Sequence, residues 1–505
     1  MHPKHPCFHA SEASTRPERP HASTPPNDPS HSRPTAVTTL EFTSALDHSA
    51  ETVFDWHAQP GAFQRLTPPW APVRLEAFEG IGEGDRAVLR MGPGPLAIKW
   101  VAEHHDVVEG RQFCDRMVQG PFAHWDHTHR FEPQGEGGSR LVDHIECELP
   151  GGGLGAAAAP YVLEPELRRQ FAYRHRVTRR DLALHERYNS DERSLTIAVS
   201  GTSGLVGSQL VPFLTTGGHT VKRLVRSRPV GEDEILWNPQ TDEVEAENLE
   251  GLDAVIHLAA ESVFGLWTAA KKQRIYDSRA RGTRLLAEAL AGLDDPPDTF
   301  VSASAVGYYG DHGTEPVTED SAPRGAGFLS EVCEAWEAAT EPAAAAGIRT
   351  VRSRIGIVLS PAGGALQVQW PIFWLGLGGP VGAPDQYLPW LSIDDLVGGL
   401  YHLLWNDDLE GPVNLTAPEP ASMDEYARTL ATVLNRPAPF RVPASVVRAV
   451  LGEMADEMLL KSARVVPERL QQSGYDFVGD TLEGALRHVL GRTKDGAAAG
   501  RWIQT

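Results

Sequence analysis

The chain has 505 residues, and at roughly 150 residues per domain it holds about three folded units rather than one core. Lys+Arg 46 against Asp+Glu 67 give a formal charge of -21, which repels phosphate backbones and anionic membrane surfaces, so nucleic acid and membrane are excluded as expected partners. Hydrophobic residues at 41% suffice for several cores, and charged residues at 22% exclude a wholly disordered chain or a coiled coil.

No run of about 18 apolar residues occurs and the N-terminus has no apolar leader segment, so neither a span nor a secretory signal is expected. Cys7, Cys114, Cys147 and Cys333 lie far apart with no C-x-x-C spacing. Free thiols in a cytoplasmic protein are expected, not a disulfide framework or a zinc knuckle. Residues 1–36 are dense in Pro, His, Ser and Thr without apolar periodicity, which reads as a disordered tail. Its five histidines are irregularly spaced and read as solvated.

From residue 37 to 187 the pattern changes to short alternating strands. TTLEFTSALD is followed by the helix-like ETVFDWHAQPGAFQRL, then by VRLEAFEG, DRAVLRM, LAIKWVAEHHDVV, QFCDRMVQ, AHWDHTHRFEP and SRLVDHIECELP, with Gly/Pro turns between them. An antiparallel meander is expected. After GGGLGAAAAP, the segment from Tyr161 carries Leu163, Leu167, Phe171, Val177 and Leu182 on one helical face. His127 and His129 lie two apart in a strand and share a face with Trp125, while His124 points away. Two such imidazoles can chelate zinc, but no carboxylate or thiolate has a companion spacing, so no metal is expected here. The pair His104 and His105 is read the same way.

The blocks RLTPPWAPVRLE, GPFAHWDHTHRF and FAYRHRVTRRDL resemble SRPBCC (START-like, helix-grip) domains of the kind fused to epimerase-like proteins. The resemblance implies an α+β helix-grip fold with a hydrophobic ligand cavity. Residues 188–194 are polar and read as a linker.

The character then becomes α/β. Leu195 to Val199 form an apolar strand, followed by Gly201-x-x-Gly204-x-x-Gly207 and a helical run through Leu205, Leu210, Phe213 and Leu214. Gly201 suits the tight turn, Gly204 lets amides approach a pyrophosphate, and Gly207 lets the helix pack closely on the strand. Glycine turns are common, but the strand–turn–helix setting followed by a second strand, HTVKRLVR, makes this a dinucleotide signature. That second strand ends in Arg226, where an NAD-selective site would place an acid. A guanidinium there pairs with a 2′-phosphate, so NADP is expected in preference to NAD, with Arg228 assisting. Capping of an exposed strand end by Arg226 is the plain alternative. A third strand, LDAVIHLAAES, brings Ala259 and Ala260 to the carboxyl end of the sheet; a helix and the strand DTFVSASAVGYYGD follow. Strand and helix alternate through Trp405, the pattern of a doubly wound parallel sheet.

In order, GTSGLVG, HLAAES, DSRARGTRLL, SASAVGYYGD, EVCEAWE, RSRIGIVLSPAGGAL, PWLSIDDLV and GPVNLTAPEP resemble the atypical extended short-chain dehydrogenase/reductases, the YfcH-like subgroup of NAD-dependent epimerase/dehydratases. The resemblance assigns residues 195–444 to an α/β Rossmann domain, 445–495 to a small C-terminal domain and 496–505 to a tail. Carried over residue by residue, it implies phosphate contacts from Gly201, Thr202, Ser203, Gly204, Leu205, Val206 and Gly207. It also places Arg226 near the adenosine ribose and Leu258, Ala259 and Ala260 along the nicotinamide-side ribose. Ser304, with Ser302 as the alternative, falls where relatives hold the serine that bonds a substrate hydroxyl.

Active members of this superfamily move the substrate proton with Y-x-x-x-K, the lysine favouring phenolate. None of the ten tyrosines here is followed by lysine at that spacing, and the expected place reads Phe328-Leu329-Ser330-Glu331-Val332. Tyr308 or Tyr309 could serve as acid, with Arg279 or Arg354 lowering its pKa; the resemblance places both arginines in blocks that face the cofactor cleft and implies cofactor binding by Arg279. Alternatively Glu331 could serve as base; for Tyr309, ring packing is the plain alternative. Asp394 and Asp395 read as helix caps and the loop 373–382 as a glycine-rich cover of the cleft. Three functions follow: an NAD(P)-dependent oxidoreductase or epimerase-like enzyme acting on a hydrophobic small molecule, a catalytically silent NADP- and ligand-binding sensor, or a sugar-nucleotide epimerase. A small-molecule ligand and a second copy of the chain, as a homodimer, are the partners this reading admits.

Overall fold

A computed structural model describes residues 37–189, 193–325, 327–479, 481–493 and 501–502. The expected N-terminal tail, the middle of the expected linker and most of the expected C-terminal tail lie outside the described residues. The N-terminal unit opens with β1 (Thr38–Leu46), α1 (Ala50–Ala58) and α2 (Ala62–Leu66). It continues through β2 (Val73–Phe78), β3 (Arg86–Met91), β4 (Ile98–Val108), β5 (Gln112–Gln119), β6 (His124–Gln134) and β7 (Gly138–Glu148) to a long helix, α3 (Gly153–Tyr188). The strands form one antiparallel meander, β2-β3-β4-β5-β6-β7-β1, as the alternation predicts. Within the expected C-terminal tail, Arg501–Trp502 add a short antiparallel edge to β1.

Alternation puts Leu40, Phe42, Trp125, Ile145 and Cys147 on the concave face, where α3 covers them with Leu167 and Phe171. The rings of Phe42 and Phe171 stack at 4.6 Å. α3 runs 36 residues and starts at Gly153, eight residues before the helix read from the sequence. Its alanine-rich start favours helix, and Pro160 and Pro165 are carried inside it.

The second unit comprises β8 (Thr196–Ser200), α4 (Gly207–Thr216), β9 (Thr220–Val225), β10 (Glu234–Asn238), β11 (Glu243–Val244), β12 (Ala254–His257), α5 (Ala269–Ala291), β13 (Thr299–Ala305), α6 (Phe328–Ala338), β14 (Arg349–Ile355), α7 (Ile393–Trp405) and β15 (Gly411–Leu415). Strand order is β11-β10-β9-β8-β12-β13-β14-β15, parallel except for the edge pair β10 and β11. The chain winds outward from β8 in both directions, so the crevice for a ligand lies beyond the carboxyl ends of β8 and β12. The central strands are apolar throughout because helices cover both faces: Ile197, Val199, Val255, Ile256 and Val301 are fully buried. The C-terminal unit ends in α8 (Leu482–Val489), whose Leu482, Ala485, Leu486 and Val489 pack into the second core. Among the described residues, no helix is long and apolar enough to cross a membrane.

Candidate functional site

The turn after β8 has the geometry its glycines allow. Gly201 adopts φ +71°, and a side chain there would meet Leu258 and Ala259 backbone atoms at 2.9 Å. A Cβ on Gly207 would lie 2.3 Å from the Gly201 carbonyl oxygen and 2.7 Å from Thr202 Cα. The first turn of α4 therefore rests directly on the loop. Val206 occupies the cap position and no side chain caps the helix. Gly204 donates to Gly201 O, while Ser203 and Gly204 are exposed. This is a cradle whose amides and helix dipole suit a diphosphate.

Two residues that the sequence reading did not single out lock the cradle to its neighbour. The hydroxyl of Ser200 accepts from the amides of Leu258 (2.9 Å) and Ala259 (3.0 Å). Its own hydrogen then goes to Nδ1 of His257, 2.8 Å away. Burial pushes the imidazole of His257 down to about 4, so it stays neutral and accepts. A serine and a histidine inside otherwise apolar strands were the visible signal, at the ends of VSG and VIH. Leu258 and Ala259 are half-buried and Ala260 is exposed.

Leu224 pairs with Ser200, the last residue of β8, and Arg226 follows directly on the end of β9, the strand beside β8. It is exposed and makes no ion pair with a described residue. Arg279 sits elsewhere: its guanidinium donates to the carbonyl of Glu261 (3.0 Å) and lies 5.0 Å from the Trp336 ring centre. It fastens the loop after β12 to α5 and touches neither Tyr308 nor Tyr309. The loop 373–382 sits at the end of a helix over Gly364–Trp374 and exposes Trp374, Leu375 and Leu377.

The block after β13 corrects several expectations. Ser304 is buried and donates to Glu337 Oε1 at 2.7 Å. Ser302 is buried as well and donates to the carbonyl of Ala303. Neither hydroxyl is offered to a substrate. Glu337 is held by Arg354 through both carboxylate oxygens, at 2.7 and 2.8 Å. Arg354 also donates to the Tyr309 hydroxyl (2.9 Å), which donates to Asn414 Oδ1 (2.7 Å). Tyr309 is fully buried, and burial pushes its hydroxyl up to about 12 despite the charge of Arg354. The expected lowering of its pKa does not occur; desolvation exceeds the attraction. Tyr309 is a packing residue.

Glu331 projects into solvent from the first turn of α6, where the helix dipole accounts for it, and no described group is placed for it to deprotonate. Tyr308 alone among the four candidates is both uncommitted and half-exposed, with the Arg354 guanidinium 3.6 Å over its ring.

Phe328, where the family resemblance leads one to expect a tyrosine, packs on Trp267 with ring centres 5.2 Å apart and receives the Lys272 ammonium 4.5 Å above its ring. Glu457 accepts from the Leu329 amide at 3.0 Å and pairs with Lys461 at 2.9 Å. Lys272 pairs with Glu453, and Lys271 with Glu261, each at 2.7 Å. Lys272 is thus tied to Glu453 of the C-terminal unit, and Lys461 of that unit reaches Gly327 at the start of α6. No local spacing could show this.

A buried charge cluster joins all three units behind the site. Arg65 of α2 donates to Asp181 of α3 (2.7 and 2.9 Å), to Asp394 of α7 (3.0 Å) and to Gln209 of α4 (3.1 Å). Asp394 also meets His488 of α8 at 2.8 Å. Burial alone would raise the Asp394 carboxyl, but His488, Arg65 and Arg180 hold it well below the usual carboxylate range. Asp395 accepts from Arg180 and from the amides of Val478 and Gly479. The helix cap is Ser392, not either aspartate. The aspartates at the start of α7 join domains.

Three family models match the chain. Residues 197–362 match the NAD dependent epimerase/dehydratase family. Residues 38–173 match polyketide cyclase / dehydrase and lipid transport proteins, and residues 442–489 match a domain of unknown function. An epimerase family protein of Mycobacterium bovis is 40% identical over 297 residues, which are 59% of this chain and 98% of that protein. The crystal structure of a nucleoside-diphosphate sugar epimerase from Corynebacterium glutamicum is 33% identical, with TM-score 0.75, covering 89% of this chain and 90% of that one. The human epimerase family protein SDR39U1, solved with NADPH, is 33% identical with TM-score 0.54, covering 58% of this chain and 99% of that one.

Proposed function

The chain belongs to the NAD dependent epimerase/dehydratase family, and from that premise we propose that it is an NADP(H)-dependent oxidoreductase acting on a carbonyl or alcohol carbon of a small apolar molecule. The observation that carries the reading is the uncapped start of α4 beside an exposed, unpaired Arg226. A helix end without a capping side chain leaves its amides for a diphosphate, and an unpaired guanidinium at the end of the neighbouring strand suits a 2′-phosphate. The NADPH in the structure of the human relative supports the same choice. Bound there, the cofactor supplies or takes a hydride. The chain's own part is to hold the diphosphate with the amides of residues 202–207 and to hold a proton for the substrate oxygen on Tyr308. The N-terminal unit captures or presents the apolar ligand, in keeping with its likeness to lipid transport proteins. Buried free thiols at Cys114, Cys147 and Cys333 suit a reducing, cytoplasmic setting.

A second reading, NADPH binding without turnover, draws support from the absence of any tyrosine followed by lysine at the fourth position and from Phe328, a packing residue where the family resemblance leads one to expect that tyrosine. The same residue weighs against sugar-nucleotide epimerisation, despite the Corynebacterium glutamicum relative. Calorimetry with NADPH and NADH on Arg226→Ala decides cofactor choice. NADPH affinity should fall about 10- to 100-fold with NADH little changed, as for loss of a charge-assisted pair; equal losses would remove the preference. NADPH absorbance followed with ketones, aldehydes and quinones decides turnover. Tyr308→Phe should lower kcat about 100-fold or more, and tight binding without oxidation of any compound would establish the second reading.

A further inference from the structure

The inward face of the N-terminal sheet carries a constellation that the dinucleotide site does not use. Register brings it together: Asp115 of β5 lies opposite His127 of β6, and His129 opposite Asp143 of β7. The two imidazoles tilt toward each other with centres 3.9 Å apart, and both are buried. On one side, Asp143 Oδ1 lies 3.0 Å from His127 Nε2 and 2.8 Å from His129 Nδ1. Its second oxygen is 2.6 Å from Nε2 of His175, which reaches in from α3. On the other side, Asp115 Oδ2 lies 3.3 Å from His127 Nδ1 and 3.3 Å from His129 Nε2.

A neutral imidazole has one N–H and one lone pair. If the N–H groups of both rings face Asp143, the two remaining lone pairs and the Asp115 carboxylate converge on one spot. With both rings neutral, three acceptors meet at that spot, and one shared cation satisfies all of them. Ligand atoms bonded at about 2.0–2.2 Å in a tetrahedral arrangement sit roughly 3.3 Å apart, the spacing of both imidazole–carboxylate pairs here. Asp143, buttressed by His175, has the place of the carboxylate that orients metal-bound histidines.

We propose that Asp115, His127 and His129 bind one divalent transition-metal ion of the zinc type, with Asp143 as the positioning residue. Two imidazoles and one carboxylate leave a coordination position open, the mark of a site that takes a further oxygen ligand. Asp115 keeps 18% of its side chain exposed, so the opening is on its side. The three ligand atoms lie within 4.8 Å of one another.

The test uses the full chain with Cys7 and the five histidines before Val37 replaced by serine, stripped with chelator and loaded with Zn²⁺ or Co²⁺. One ion per chain should survive gel filtration, and Co²⁺ should give visible ligand-field bands. His127→Ala and His129→Ala should each abolish both. Asp115→Asn, nearly isosteric, should do the same with its thermal transition retained, and Asp143→Asn should weaken binding about 10- to 100-fold. A competing group, His105, Asp106 and Cys114, lies on β4 and β5, with Cys114 on the face opposite Asp115; Cys114→Ser should leave the ion bound. Retention by His127→Ala and Asp115→Asn, loss in Cys114→Ser, or no ion held by the parent chain would each overturn the assignment.

Discussion

The two sheets of this molecule hold their polar groups in opposite ways. In the parallel sheet the groups lie at one end and belong to the backbone: the amides of the turn after β8 and of a helix start that no side chain caps. In the antiparallel sheet they lie mid-strand and belong to side chains, Asp115, His127, His129 and Asp143, aligned across three strands. A site of the first kind is written in a few consecutive residues. One of the second kind exists only once register is set, because its carboxylates lie twelve and fourteen residues from the nearer histidine and on other strands.

The sharpest way to break this contrast is Gly207→Val. The added side chain would strike the Gly201 carbonyl and Thr202 Cα, both backbone, so the cradle must open. NADPH binding should be lost by at least 100-fold in calorimetry, while any metal content of the N-terminal sheet stays unchanged. Retained binding would mean that the amides are not the determinant. The next largest effect tests whether the two sheets act as one body. Arg65→Leu leaves Asp181 and Asp394 facing each other without their cation, which should cost about 3–5 kcal/mol in urea denaturation. A change below about 1 kcal/mol would show that Arg180 and His488 suffice.

Acid should affect both sheets in a graded way. Burial pushes His57, His219, His257 and His402 down to about 4 and His185 to about 3. Such groups take up protons in the unfolded chain below about pH 6.5 but not in the folded one. Their contribution is therefore whole above that pH and is lost as pH falls from about 6.5 to about 4. The urea midpoint should fall steadily over that window; a flat profile would contradict the neutral, buried state of these rings. The smallest effect is expected from Tyr309→Phe. It removes a hydroxyl held by Arg354 and Asn414, at about 1–2 kcal/mol of stability, and should leave kcat within about twofold. A 100-fold drop in kcat would return Tyr309 to the chemistry.

The sequence already shows the two sheets, the order of the strands and the dinucleotide turn, because each depends on period-2 alternation, on β–α alternation or on glycines at fixed offsets. It does not show that Ser304 spends its hydroxyl on Glu337 or that Tyr309 spends its own on Asn414, since those partners lie 33 and 105 positions away. Asp394 misleads for the same reason: aspartate near a helix start suggests a cap, whereas Ser392 takes that role and Asp394 meets Arg65, 329 positions earlier. The metal-ligand spacing searched for around His127 and His129 was a local one, and both carboxylates are supplied by neighbouring strands. The long helix starts early because alanines after the glycines extend it, which a period-based reading of apolar residues does not register.

Calorimetric titration of the full chain with NADPH tests the central claim most directly. A single saturable event at one nucleotide per chain, abolished in Gly207→Val, is the predicted result. No heat of binding from folded protein, or unchanged binding in that variant, would contradict it.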